Sequence, residues 1–128
     1  MEKFQNDIGI ISHDEESNII LWVFKKKSSG SDFIGIHEKF LEEFYKLNCT
    51  KILADLRRIG VVGTEEINWV VNNLFSNMLN HIKDKNLYVA QIIPESDIFA
   101  KFASRKVREK GEELDKRFRQ LYTNWARG

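Results

Sequence analysis

The fold is decided by residues 51–93, which read KILADLRRIGVVGTEEINWVVNNLFSNMLNHIKDKNLYVAQII. Apolar runs open this stretch at 51–56 and close it at 87–93, and each is typical of a strand that is buried on both faces. Between the two runs, apolar residues recur at helical spacing: Ile67, Val70, Val71, Leu74, Phe75, Met78, Leu79 and Ile82. A strand, a helix and a second strand in this order predict a parallel pairing with a right-handed crossover.

The residues before this unit predict a β-hairpin followed by a helix. Residues 8–12 and 19–25 are rich in isoleucine, valine and aromatic residues, and the polar run 13–18 between them has turn chemistry. Ser31 or Asp32 is expected to cap a helix that ends near Asn48. Its apolar stripe consists of Phe33, Ile36, Phe40, Leu41, Phe44 and Leu47.

The residues after the unit predict a third helix, capped by Ser96 or Asp97, that carries Ile98, Phe99, Phe102, Ala103 and Val107. The final segment has two interpretations. Residues 118–122 fit a last strand, with a short helix starting at Thr123 or Asn124, but they also fit a helical stripe. We favour the strand, because Gly111 is expected to interrupt the helix and a strand would extend the sheet. The expected core includes Phe40, Leu53, Leu74 and Val89.

Length and composition favour one α/β domain over residues 1–128. The chain is 42% hydrophobic with a formal net charge of +1, which favours a folded domain and provides no bulk field to attract nucleic acid or a membrane. Its single cysteine, Cys49, excludes an internal disulfide. The first residues lack the features of a signal peptide, and the longest apolar run, residues 19–24, is too short to cross a bilayer. We therefore expect a cytoplasmic protein without a membrane span.

Several short motifs resemble a known family. The strand end Ala54-Asp55-Leu56-Arg57, the helix that bears Trp69, the strand that ends in Pro94 and the run Leu121-Tyr122-Thr123-Asn124 are similar to the small stand-alone STAS-like proteins of bacteria. These proteins are relatives of the anti-sigma-factor antagonists. The resemblance implies a STAS-like domain with a mixed sheet of about five strands, including the N-terminal hairpin, and with helices mainly on one face. It also implies binding or regulation without catalysis.

The same resemblance bears on phosphorylation. The best-known members of the family carry a phosphorylatable serine after the central strand, whereas this chain has Gly60-Val61-Val62-Gly63-Thr64 there. A phosphorylation switch is therefore not expected. We predict that Thr64 is the N-cap of the following helix, whose first-turn residues Glu65 and Glu66 would repel a phosphate.

The loop that follows the strand at 51–56 is the predicted ligand site, because open α/β sheets bind ligands beyond the carboxyl ends of their strands. Backbone N–H groups at the next helix and two arginines could hold a small anion. In the plainer interpretation, the glycines only make the turn, the arginines are solvated and the aspartate holds the loop. The candidate residues are Asp55, Arg57, Arg58, Gly60, Gly63 and Thr64.

No residue is predicted to be catalytic, and neither a metal nor a cofactor is expected. His37 falls on the apolar face of the first helix, where a histidine packed in the core is a better explanation than a catalytic one. His13 and His81 are too dispersed to complete a metal site with it. Cys49 follows a helix C-terminus, which disfavours a thiolate, so it is expected to be inert.

Trp69 is the candidate for contact with a protein partner or a second copy of the chain. Because successive residues of an α-helix are rotated by ~100°, Trp69 is expected to point away from the apolar stripe of its helix and towards polar neighbours. The alternative is that it lies beneath the loop 57–63 or against the C-terminal segment. Residues 101–119 contain eight basic and four acidic residues, which we interpret as a solvated helix face and not as a nucleic-acid site.

Two functions follow from these observations. The first is a non-catalytic module that binds a protein partner or self-associates, and the second is a binder of a small molecule or anion. A flat, exposed aromatic patch would favour the first function. A deep pocket bounded by Asp55, Arg57 and His37 would favour the second.

Overall fold

The computed structural model describes residues 1–28, 30–94 and 96–126, and the last six of these as backbone. These residues form six strands and three helices. The elements are β1 (Glu2–Gln5), β2 (Gly9–Asp14), β3 (Ile19–Phe24), α1 (Gly30–Tyr45), β4 (Lys51–Asp55), α2 (residues 64–82), β5 (Leu87–Pro94), α3 (Ile98–Leu114) and β6 (Phe118–Ala126). None of the helices in the described ranges is long and apolar enough to cross a membrane.

One mixed sheet has its strands in sequence order, from β1 to β6. The first three strands pair antiparallel, and β3 to β6 pair parallel. The α/β class, the mixed sheet and the hairpin are therefore confirmed, but the count of about five strands is wrong. The additional strand is β1, a short edge strand with the sequence EKFQ. Sequence periodicity missed it because Phe4 is its one apolar residue.

The order of the parallel strands explains why the helices share one face of the sheet. Each crossover, from β3 to β4, β4 to β5 and β5 to β6, moves one strand in the same direction. Right-handed crossovers that never reverse direction place all of their helices on the same face. In agreement, residues of α1, α2 and α3 line one cavity together with Trp22, Ile52 and Val89 of the sheet.

No helix of the described ranges packs on the opposite face of the sheet. Ile52 and Ala54 of β4 are buried beneath the helices, whereas Leu53 between them is only half-buried. Leu21 and Tyr88 on the same side as Leu53 are exposed. The prediction that Leu53 is buried was wrong, because an apolar strand does not reveal whether a second layer covers it. Phe40, Leu74 and Val89 are buried as predicted.

Helix α2 is continuous but not uniform. It consists of α-helical Thr64–Trp69, π-helical Val70–Phe75 and α-helical Ser76–Ile82. All eight residues of its predicted stripe are buried. Its apolar pairs recur every four residues, at 70/71, 74/75 and 78/79. Such a stripe drifts around an α-helix of 3.6 residues per turn, but a wider π-helical turn keeps it on one face.

The predicted helix ends need three corrections. The N-cap of α2 is Gly63 rather than Thr64, which is the first helical residue. Helix α1 begins at Gly30, so Ser31 and Asp32 lie inside its first turn, and it ends at Tyr45 before the predicted Asn48. Asp97 caps α3 as predicted, since its Oδ1 accepts a hydrogen bond of 3.0 Å from the Ala100 N–H.

The C-terminal strand is confirmed, although one reason for predicting it was wrong. Helix α3 passes through Gly111 without interruption. A Cβ atom at this position would come within 2.5 Å of the Phe118 ring, so the glycine allows α3 to pack closely against β6. Strand β6 continues to Ala126 beside β5. The expected short helix from Thr123 or Asn124 is therefore wrong, because pairing with β5 keeps this segment extended.

Candidate functional site

The two charged candidates after β4 are paired with each other. Arg57 donates to the Asp55 carboxylate from Nε at 2.9 Å and from Nη2 at 2.6 Å, and its backbone N–H also donates at 3.2 Å. Burial alone would raise the pKa of Asp55, but the hydrogen bonds and charge of Arg57 outweigh it and hold this pKa below its ordinary value. Asp55 holds the loop, as the plainer interpretation expected. Arg57, which that interpretation left solvated, is instead paired with Asp55, so its charge is compensated.

The remaining loop candidates do not converge on a shared point. Gly60 has a positive φ of 83° and lies against the Lys27 side chain. Gly63 donates its N–H to the Glu66 carboxylate at 2.9 Å. Thr64 and Arg58 are exposed. An acidic side chain of α2 itself therefore occupies part of the helix N-terminus that was predicted to hold an anion, and it would repel a second negative charge.

A cavity of about 100 Å³ lies between the sheet and the three helices. Its floor includes Trp22, Ala54 and Gln91 from neighbouring strands, and helices supply the walls. Val61 and Phe99 also line it, and both are largely exposed. The mouth therefore lies between the loop after β4 and the first turn of α3.

The lining of this cavity is apolar and carries almost no charge. Among its lining residues within the described chain, Asp97 is the one carboxylate, and lysine and arginine do not contribute. Asp97 lies at the mouth, where it caps α3. The predicted pocket bounded by Asp55, Arg57 and His37 is thus not what the chain forms, because His37 lines the cavity while the other two residues do not.

His37 is an uncharged member of the cavity wall. Its Nδ1 lies 2.8 Å from the Phe33 carbonyl oxygen, which can only accept, so Nδ1 carries the proton. Burial lowers the pKa of His37 to about 4, although the hydrogen bond to Phe33 acts in the opposite direction. At neutral pH the ring is therefore uncharged, and its Nε2 is a hydrogen-bond acceptor.

Trp22 packs against His37 in the wall of the cavity. Its indole is stacked on Phe40 with ring centroids 4.1 Å apart, and it meets His37 edge-on at 4.9 Å. The indole is 4% exposed. Its Nε1 has no hydrogen-bond partner in the part of the chain that the structure describes. A buried N–H without a partner is costly, so this atom is an available donor within the site.

The carbonyl oxygen of a second polar side chain of the cavity, Gln91, already has hydrogen-bond partners. The Gln91 carbonyl oxygen accepts from the Ser104 hydroxyl and, at 3.0 Å, from the Gln120 amide. The same amide donates to the Ser104 backbone oxygen at 3.0 Å. This cluster ties β5, α3 and β6 together. Sequence reasoning did not single it out, although a glutamine within the apolar run 87–93 was the available signal.

Trp69 lies beside the core rather than among polar residues. It is half-buried, and its ring meets His37 edge-on with centroids 5.8 Å apart. The extrapolation that pointed it away from the core assumed a uniform α-helix. The π-helical segment begins at the next residue, and its wider turn changes the angle between Trp69 and the stripe.

An exposed apolar patch borders the mouth of the cavity. It consists of Val61 on the loop and Ile98, Phe99 and Phe102 on α3, with exposed fractions of 65%, 77%, 74% and 56%. We call these four residues the α3 patch. Scattered apolar side chains are normal on protein surfaces, but adjacent ones with two aromatic rings are typical of binding sites.

The other candidates behave as structural residues. Cys49 is buried, with Sγ 3.0 Å from the Asn18 carbonyl oxygen. The basic segment 101–119 pairs several of its charges internally, as in Arg117 with Asp115 at 2.9 Å. In the ranges that the structure covers, no group of three or more His, Cys, Asp or Glu side chains is arranged to hold a metal.

Comparison of the chain with protein-family models, with curated proteins and with solved structures gives no match.

Proposed function

We propose that this chain is a non-catalytic binding module whose ligand is a small uncharged molecule held in the cavity. The observation that carries the proposal is the cavity itself, an apolar space between sheet and helices with an opening beside the α3 patch. Apolar concave sites with a few polar atoms are the usual form of small-molecule sites. The resemblance to STAS-like proteins supports a regulatory role without catalysis.

The size of the cavity sets the size of the ligand. A volume of about 100 Å³ is comparable to an engineered apolar cavity of about 150 Å³ that takes up benzene. A molecule with one ring, or an aliphatic one of similar bulk, is therefore the expected class. An anion is disfavoured in this space because the lining within the described chain provides no cation.

Filling the cavity tests this proposal. Ala54→Leu places three additional carbon atoms on the floor of the cavity and should weaken the binding of toluene at least tenfold, as measured by ligand-observed NMR. Ala90→Leu is the matched control, because Ala90 lies on the opposite face of the sheet, beside Leu53. Equal toluene affinity in the wild type and Ala54→Leu would refute the proposal.

A second candidate function is contact with a protein through the α3 patch. The exposed Phe99 and Phe102 favour it, and Lys101 and Arg105 beside them would suit a partner with acidic residues around an apolar centre. Self-association through the same patch is the other form of this hypothesis. The role of Trp69 in such a contact stays a prediction, and its half-buried position makes the α3 patch the better starting point.

Surface substitutions separate these alternatives. The double variant Phe99→Ser and Phe102→Ser should keep its fold and remove any self-association seen by size-exclusion chromatography with light scattering. Tyr88→Ser, at an exposed aromatic residue on the sheet face opposite the helices, is the control. Association that survives the double variant and is lost in Tyr88→Ser would assign the contact to the sheet face instead.

A further inference from the structure

Two ring nitrogens of the cavity wall have no hydrogen-bond partner among the described residues. One is Nε1 of Trp22, a donor. The other is Nε2 of His37, which is left as an acceptor because Nδ1 carries the proton, and for which the described residues provide no hydrogen bond. Both side chains are nine-tenths or more buried, and both line the cavity.

Because one ring nitrogen is a donor and the other is an acceptor, a ligand group that satisfies both must accept one hydrogen bond and donate another. The ring centroids of Trp22 and His37 are 4.9 Å apart, and the rings meet edge-on at 70°. A hydroxyl oxygen can accept from one nitrogen while its proton is donated to the other. A carboxylate could use the donor alone and would face the His37 lone pair without a counter-ion. A hydrocarbon would leave both atoms unsatisfied.

We infer that the ligand is an uncharged alcohol or phenol of about one ring in size, with its hydroxyl between Trp22 Nε1 and His37 Nε2. The inference rests on the proposed function, since it assigns the polar end of a molecule in the same cavity. The ring or aliphatic body of the ligand lies against the apolar wall, which includes Phe33, Leu74 and Met78. The hydroxyl accepts from the indole and donates to the imidazole.

The surroundings of the two rings hold them in place for this contact. Trp22 is fixed by its stacking on Phe40, and His37 is fixed by its bond to Phe33 and by the edge of Trp69. Side chains locked by packing do not lose rotamer freedom when a ligand arrives. Trp69 thus has a positioning role at the back of His37 in this arrangement.

The test compares phenol with toluene, which have nearly the same shape and differ in a hydroxyl and a methyl group. The measured quantity is the ratio of the toluene Kd to the phenol Kd, from titrations at neutral pH. Trp22→Phe removes the donor, His37→Leu removes the acceptor, and each should lower this ratio about fivefold to tenfold, as expected for one buried hydrogen bond. Tyr88→Phe, at an exposed aromatic residue that does not line the cavity, is the aromatic control and should leave the ratio unchanged.

A second measurement does not depend on the folding of a variant. In the wild-type protein, phenol should shift the indole N–H resonance of Trp22 downfield and slow its exchange with solvent, whereas toluene should not. An unchanged ratio in both variants, or the same Trp22 resonance with both ligands, would overturn the inference and indicate that only water meets these atoms. If neither compound binds saturably to the wild type, or Ala54→Leu has no effect, the proposed function itself fails.

Discussion

Helices α2 and α3 both carry an apolar stripe, but the two stripes are not buried to the same extent. Every residue of the α2 stripe is buried, from Ile67 to Ile82. Helix α3 buries Ser104, Val107 and Gly111 and leaves Ile98, Phe99 and Phe102 exposed. The apolar residues of α3 are concentrated in its first two turns, which extend beyond the sheet at the mouth of the cavity.

This difference shows that an apolar stripe on a helix does not by itself indicate burial. Periodicity identifies a helix and its apolar side, but only the neighbouring elements determine whether that side is covered. Helix α2 lies between α1 and α3 over the middle of the sheet, where it has neighbours on both flanks. The beginning of α3 has no such cover among the described residues, and its exposed aromatic rings are available for a ligand or a partner.

The largest expected effect on stability is in the buried stripe of α2. Leu74→Ala should lower the free energy of unfolding by about 2–5 kcal/mol, the usual cost of emptying a packed leucine site. Leu74 is buried in the stripe and touches the cavity. Chemical denaturation of the variant and the wild type measures the difference. A loss below about 0.5 kcal/mol, typical of a surface site, would show that α2 is no better covered than the start of α3.

The second-largest effect is the pH dependence of stability that the buried His37 ring causes. The pKa of His37 is about 4 in the folded protein, below the ordinary histidine value of 6.5. The unfolded chain therefore binds the proton more readily, and stability is present above pH 6.5 and is lost as pH falls towards 4. Between pH 7 and pH 5 the loss should be about 2 kcal/mol. Denaturation curves of His37→Leu should lack this slope, whereas those of His81→Gln, at an exposed histidine, should retain it.

A smaller effect on stability is expected at Gly111, where the second half of α3 packs against β6. Gly111→Ala gains helix propensity worth about 1 kcal/mol. However, its new Cβ would lie 2.5 Å from the buried Phe118 ring, and overpacking of this kind costs about 1–3 kcal/mol. We expect a net loss of about 1 kcal/mol in thermal or chemical denaturation. A gain in stability would mean that α3 can shift away from β6 at little cost. In that case α3 would differ from α2 along the whole length of α3.

The smallest effect is expected at the exposed start of α3. Phe102→Ser should change the free energy of unfolding by less than about 0.5 kcal/mol, as is usual for surface positions. The side chain is 56% exposed. Denaturation measured beside Leu74→Ala makes the comparison direct. A loss of 2 kcal/mol or more would show that this part of α3 is covered after all, and the α3 patch would cease to be a candidate surface.

Several elements of the site were within reach of the sequence. Local spacing and the apolar stripe predict that Asp55 holds the loop and that His37 is packed in the core, but they do not predict the pairing of Asp55 with Arg57. They do not predict the cavity either, because it depends on how three helices settle on the sheet. Trp22 is read from the sequence as a strand residue, and nothing local shows that its N–H is left without a partner.

The amino-acid sequence alone accounts for the alternation of strands and helices, the hairpin and the apolar side of α2. These are local properties, set by periodicity, turn chemistry and propensity within a short window. Only the tertiary structure decided that one face of the sheet is covered, that Leu53 is half-exposed and that α2 contains a π-helical segment. The same holds for the edge-on contact of Trp22 with His37 in the cavity wall. Such features arise from contacts between residues distant in the chain, whose spacing no local pattern records.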